Sequence, residues 1–163
     1  MPGHSKTTAV AVAQLVCVFL LVWSASVFGE TLHQEDFDAS GGGYVVTGTT
    51  SWEHGTPSAS PAGAHSPVAC WGTRLAGEYG NNELGALLSP VFDTRAAAGG
   101  VLVLSWWEWV AYEGGYDRLR LEVTGDNGAT WQRVYVPGQD SGGSWRRRQV
   151  VLDDSYAVNG FRF

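Results

Sequence analysis

Lysine and cysteine are almost absent from this chain: Lys6 is the one lysine among 163 residues, and Cys17 and Cys70 are the two cysteines. Beyond residue 29 only Cys70 remains, so that part forms no internal disulfide and depends on packing, helped by a metal if one binds. An apolar period of 3.6 residues is also missing after residue 29, which excludes a helix as the organising element. So are an H-E-x-x-H helix, a G-x-S-x-G turn and a cofactor-binding glycine loop, and with them the common signatures of hydrolases and nucleotide enzymes. No repeat longer than a turn recurs, which excludes a propeller or solenoid.

What is present begins with residues 1–29. Lys6 and the free amine form a positive start, Ala9–Val22 is apolar apart from one glutamine, and Val27-Phe28-Gly29 places small residues at cleavage offsets. This predicts a secretory signal peptide over 1–29 and a secreted domain over 30–163. An uncleaved membrane anchor is the alternative, opposed by the weakening of the run at Trp23-Ser24-Ala25-Ser26. Subtracting 29 from 163 leaves 134 residues, enough for one domain with a single core. Nine arginines against 16 acids give that domain a formal charge of −7, which argues against nucleic acid or an anionic membrane as partner.

Short apolar stretches separated by turn residues then follow in order. Strands are expected at Glu30–Asp38, with Phe37 inward, from Gly43, over Gly85–Phe92 with Pro90 forcing an edge or bulge, and over Val101–Val110 buried on both faces. Asp117–Val123 alternates, with Leu119, Leu121 and Val123 on one side and Arg118, Arg120 and Glu122 on the other. Asp126-Asn127-Gly128 closes it into a hairpin with Ala129–Val136, and Ser144–Leu152 and Ala157–Phe163 complete eight or nine strands. Trp52, Trp71 and Tyr79 are the packing anchors of the middle, and Ser58–Pro67 is an exposed loop. The fold class is all-β, an antiparallel sandwich.

The middle of the chain carries a resemblance. Trp52-Glu53-His54-Gly55-Thr56-Pro57, Ala64-His65-Ser66, Trp71 to Tyr79 and Leu87 to Asp93 follow the order W-x-x-G-x-P, A-H-S, W-G-T-x-L-x-G-x-Y and L-x-S-P-x-x-D. This is similar to the MAM-like β-sandwich modules that accompany immune inhibitor A-like metallopeptidases in secreted bacterial proteins. Pro67 stands where that pattern commonly has glycine. The resemblance implies a jelly roll and a closing strand with a Gly-aromatic-x-Ile-Asp-Asp pattern, which does not follow here, so the 30–163 sandwich is expected to lack that C-terminal strand and to have an unpaired edge. It also implies a structural calcium near the opening acids, so Asp38, with Asp117, is the candidate metal pair; calcium takes about six to eight oxygens. A solvated strand end is the bland alternative for Asp38.

Thr124 to Trp131 fits the Asp-box pattern S/T-x-D-x-G-x-T-W, read here as a hairpin device. His54 and His65 lack a third ligand for zinc and are expected to cap turns. Glu108, enclosed by tryptophans, and Glu113 lack the fixed carboxylate pair of a glycosidase. Alternation in Arg146-Arg147-Arg148 leaves one arginine to pair with an acid while the others are solvated. Cys70 is expected to be a buried thiol. The sequence therefore predicts a non-enzymatic, secreted binding or adhesion module, its partner an extracellular protein, a glycan or neighbouring domains of a longer chain. The alternatives are an accessory piece of a secreted hydrolase and a carbohydrate-binding module.

Overall fold

A computed structural model describes residues 30–163 and the backbone of Gln14–Trp23. The remainder of the expected signal peptide, 1–13 and 24–29, lies outside the described residues. The chain is all-β, with β1 at Gln14–Trp23, β2 at Glu30–Gln34, β3 at Val45–Thr49, β4 at Trp52–Gly55, β5 at Cys70–Thr73 and β6 at Leu84–Leu88. There follow β7 at Phe92–Asp93, β8 at Val101–Trp109, β9 at Leu121–Val123, β10 at Gln132–Tyr135, β11 at Arg146–Leu152 and β12 at Asn159–Phe161. Two single 3-10 turns, Arg95–Ala97 and Asp154–Tyr156, are the helical pieces among the described residues.

Every ladder is antiparallel. One six-stranded sheet runs β11-β8-β1-β5-β4, with β2 also on β1, and three two-stranded ladders pair β3 with β6, β7 with β12, and β9 with β10. The nine-residue β8 meets the expectation of a central strand: it pairs with β11 over Leu102–Glu108 and with β1 on its other edge. Its Leu102, Leu104 and Trp106 are each 1 % exposed. They share one core with Phe37, Cys70, Leu121, Val123, Phe161 and Phe163, drawn from the ladders and loops.

Three expected strands are shorter than the sequence predicts, and each has a local cause. The opening strand stops at Gln34, because Glu35 Oε1 accepts the Phe37 amide and Asp36 Oδ1 accepts the Asp38 amide, both at 3.0 Å. Those side chains replace a ladder partner. Phe37 turns inward as expected, fully buried, at a positive φ of 64°. The Gly85–Phe92 strand divides into β6 and β7 at Ser89-Pro90, where proline has no N–H to donate. The strand from Asp117 forms a ladder only over Leu121–Val123, although its side chains alternate as expected.

The three small ladders join at one end. Thr124 bridges Arg162 with amide-to-carbonyl bonds in both directions, and the Ser89 amide donates to the Phe163 carbonyl at 2.8 Å. At the other end no strand of the described residues lies between β6 and the segment leading into β9.

Candidate functional site

That gap is a groove of about 450 Å³. One wall is Leu84–Leu88, the other Arg118–Glu122, and Trp106, Glu108, Tyr135 and Phe163 also line it. Alternation sets the second wall: Leu119 and Leu121 turn toward the interior while Arg118 and Arg120 stay at the exposed rim. Arg120 Nε pairs with Glu122 at 2.8 Å across the strand face. Trp131, 37 % exposed, stands at the edge.

Glu108 is the one buried carboxylate in the groove, at 4 % exposure. Its Oε1 accepts from the Tyr135 hydroxyl at 2.7 Å and from Arg148 Nε at 2.8 Å, and its Oε2 accepts from Trp106 Nε1 at 3.3 Å. Arg148 reaches it because β11 lies beside β8 with Arg148 opposite Trp106, two residues from Glu108 on the same face. Burial, then the hydrogen bond to Glu108, push the Tyr135 hydroxyl up to about 12. Each oxygen of Glu108 is thus engaged by a donor, one of them a cation. This is the arrangement of a satisfied structural ion pair; a general acid or base needs an oxygen open to substrate. One arginine of the three pairs as the alternation predicts, and Arg147 is exposed. Tyr135 could not be read from sequence, since nothing local links it to a residue 27 positions away.

The two expected calcium ligands have separate environments. Asp38 Oδ1 accepts the amides of Val68 and Ala69, each at 3.0 Å, which hold its carboxyl below the usual range. Asp117 Oδ2 accepts from the Tyr79 hydroxyl and, at 3.3 Å, from the Glu113 amide. Burial and that bond push the Tyr79 hydroxyl up. Among the described residues no three His, Cys, Asp or Glu side chains gather as a metal-holding group. Asp38 ties the Val68-Ala69 backbone to the opening segment, and Asp117 ties Tyr79 to the Glu113–Asp117 turn.

The histidines differ from expectation. His54 lies in strand β4, where Nε2 is 2.7 Å from the Phe37 carbonyl, and His65 stacks on Trp107 at a centroid distance of 3.8 Å. Burial lowers the pKa of His65. Cys70 is fully buried, and burial pushes its thiol up to about 12.

The Asp-box reading agrees with the structure. Asp126 accepts the Thr130 amide at 2.8 Å and the hydroxyls of Thr124 and Thr130 at 2.6 Å, and these bonds hold its carboxyl at about 2. Asn127 and Gly128 take φ of 59° and 96°, the positive values that a tight hairpin requires. Trp131 Nε1 donates to the Gly128 carbonyl at 3.1 Å, so the indole lies on the turn.

No protein-family model, curated protein or solved structure matches this chain.

Proposed function

We propose that this chain is an exported, non-catalytic β-sandwich module of jelly-roll type, similar to MAM-like modules, that binds an extracellular partner through the groove. The observation that supports this best is the contrast inside that groove. Its buried acid, Glu108, is engaged at both oxygens, whereas its leucines and indoles, with Glu83, Glu122 and two arginines around them, leave an accessible, mainly apolar cleft of the kind that binds ligands. The signal-like residues 1–29 support export. The test has two arms. Purified protein is expected to turn over no peptide, ester or glycoside substrate; turnover lost in Glu108→Gln with the fold intact overturns the non-catalytic reading. Ligand-induced NMR shifts are expected at Leu84–Leu88 and Arg118–Glu122; binding that shifts only other surfaces overturns the groove as the site.

A carbohydrate-binding module is the second reading, favoured by Trp131 at the groove edge and by Tyr116, which is 81 % exposed. Glycan binding lost in Tyr116→Ala supports it, and unchanged binding removes Tyr116 from it. A structural calcium at Asp38 is expected to add little to the stability of residues 30–163, since Oδ1 already accepts two amides. A calcium-dependent rise in Tm that disappears in Asp38→Ala contradicts this.

A further inference from the structure

We propose that the outer edge of β11 is a self-association site, at which β11 of a second copy of this chain pairs antiparallel about a two-fold axis at Val150. The inference is independent of the groove. Its first support is an open edge. β11 ends the six-stranded sheet: one side is registered with β8, from Arg146 opposite Glu108 to Leu152 opposite Leu102, and no strand of the described residues lies on the other. An edge of seven residues is a template for pairing with another chain. On its outer face Arg147, Gln149 and Val151 are all exposed, Val151 at 60 %. Arg162 and Phe163 run elsewhere, bonded to Thr124 and Ser89.

The second support is charge order. β11 and the two residues after it read Arg146-Arg147-Arg148-Gln149-Val150-Val151-Leu152-Asp153-Asp154, cationic at one end and anionic at the other. Asp153 is exposed and still extended, at φ −78° and ψ 179°. Residues opposite one another in an antiparallel pair share a face, so a symmetric pair sets one residue against its own counterpart. With Val150 in that place, Arg147 lies opposite the partner's Asp153 and Gln149 opposite the partner's Val151 on the outer face. Arg148, held by Glu108, lies opposite the partner's Leu152 on the inner face. With Arg148 on the axis it would face itself, and with Gln149 there all three arginines would face aliphatic residues. A parallel pair in register would set arginine against arginine. Opposite charges across two strands favour the pair and like charges oppose it, so the arginines block these alternatives and select the Val150 register. Arg147 has no ion-pair partner among the described residues, so none is lost on pairing. Asp154 begins the 3-10 turn and accepts the Gly99 amide at 2.7 Å, which leaves Arg147 and Asp153 as the deciding pair.

Sedimentation velocity of the full chain over a concentration series is expected to show a reversible monomer–dimer equilibrium. Arg147→Asp alone and Asp153→Arg alone are each expected to weaken the dimer about tenfold or more, since each sets like charges opposite one another at both ends of the pair. Mixed in equal amounts, the two variants are expected to dimerise with each other, because each supplies the charge that the other has lost. A change in fold alone gives no such rescue. Asp153 also accepts the Ser155 amide, so Asp153→Asn, which keeps an oxygen there, is the milder variant and is expected to weaken the dimer less. The axis is read by cross-linking: Gln149→Cys and Val151→Cys chains are expected to form a disulfide under an added thiol oxidant when mixed, and neither alone. A chain that stays monomeric throughout, or a dimer that ignores Arg147→Asp, overturns the proposal. Failure of the mixed variants to dimerise overturns the Arg147–Asp153 pairing, and Gln149→Cys that cross-links to itself overturns the axis at Val150.

Discussion

The six-stranded sheet and the three two-stranded ladders are built from similar residues, yet one is continuous and the others are divided by a groove. In the sheet, β8 has a partner on each edge, seven of its nine residues registering with β11 and eight with β1. In the ladders, Arg118–Leu121 alternates just as cleanly but pairs only from Leu121 onward. The difference shows that alternation decides which face a residue presents, while a neighbouring strand decides whether a ladder forms. The continuity of the sheet itself depends on β1, whose backbone fills the space between β8 and β5.

The sharpest way to break the comparison is to remove residues 1–29, as signal cleavage would. β8 would lose eight registered partners, and β5 its contact with β1. At roughly 0.5–1 kcal/mol for each hydrogen bond, the loss is on the order of 4 kcal/mol. Urea denaturation of the full chain and of residues 30–163 measures it, and equal midpoints would show that the sheet does not rely on β1. Such a loss is large beside a typical domain stability of about 5–15 kcal/mol, so residues 30–163 alone are expected to be marginal unless another strand takes that place.

Next in size is a pair of leucine truncations. Leu104, 1 % exposed in the centre of β8, is expected to cost about 3 kcal/mol on change to alanine. Leu119, half-buried on the groove wall, is expected to cost about 1 kcal/mol, since the wall already borders open space. Equal costs, measured by denaturant unfolding, would mean that the two regions are equally packed.

Glu108 connects the regions, because it sits on β8 and is held by Tyr135 of β10. Glu108→Ala removes the acceptor of three donors and is expected to cost about 2 kcal/mol, less than a fully buried pair because Arg148 is about a third exposed. A double-mutant cycle with Tyr135→Phe is expected to show coupling; strict additivity would separate the sheet from the hairpin.

The smallest effect belongs to the hairpin. Asp126 is held at about 2 by its threonine bonds, against an ordinary value near 3.8. A carboxyl whose pKa is depressed on folding contributes above its unfolded value and loses that contribution as pH falls through the folded one. The hairpin is therefore expected to loosen between about pH 4 and pH 2, and Asp126→Asn to remove that pH dependence. NMR shifts of Thr130 across this range follow it, and a flat profile would contradict the assignment.

These contrasts also mark what the sequence made legible. β8 could be read because eight of the ten residues Val101–Val110, set between glycine pairs, are apolar or aromatic and admit few other placements, and the Asp-box hairpin because its bonds are all local. Cys70 was legible from its apolar neighbours. Strand ends at Gln34, Leu88 and Leu121 were not, since they depend on which partner is alongside. Glu108 was legible as an enclosed acid, but its partners come from strands far away in sequence. An unpaired edge is expected from the resemblance, but its place is not legible, because both walls of the groove are ordinary strand sequence and only topology sets β6 and the approach to β9 on either side of it.

The most direct test is native-state hydrogen exchange of the unliganded full chain. Amides of Leu102–Glu108 in the sheet and of Leu84–Leu88 and Arg118–Leu121 along the groove are compared in one experiment. Amides that face the groove are expected to exchange at least ~100-fold faster than those of β8, as open edges do beside a paired central strand. Equal protection on both sides of the comparison would contradict the open edges along the groove, and with them the groove as the binding surface.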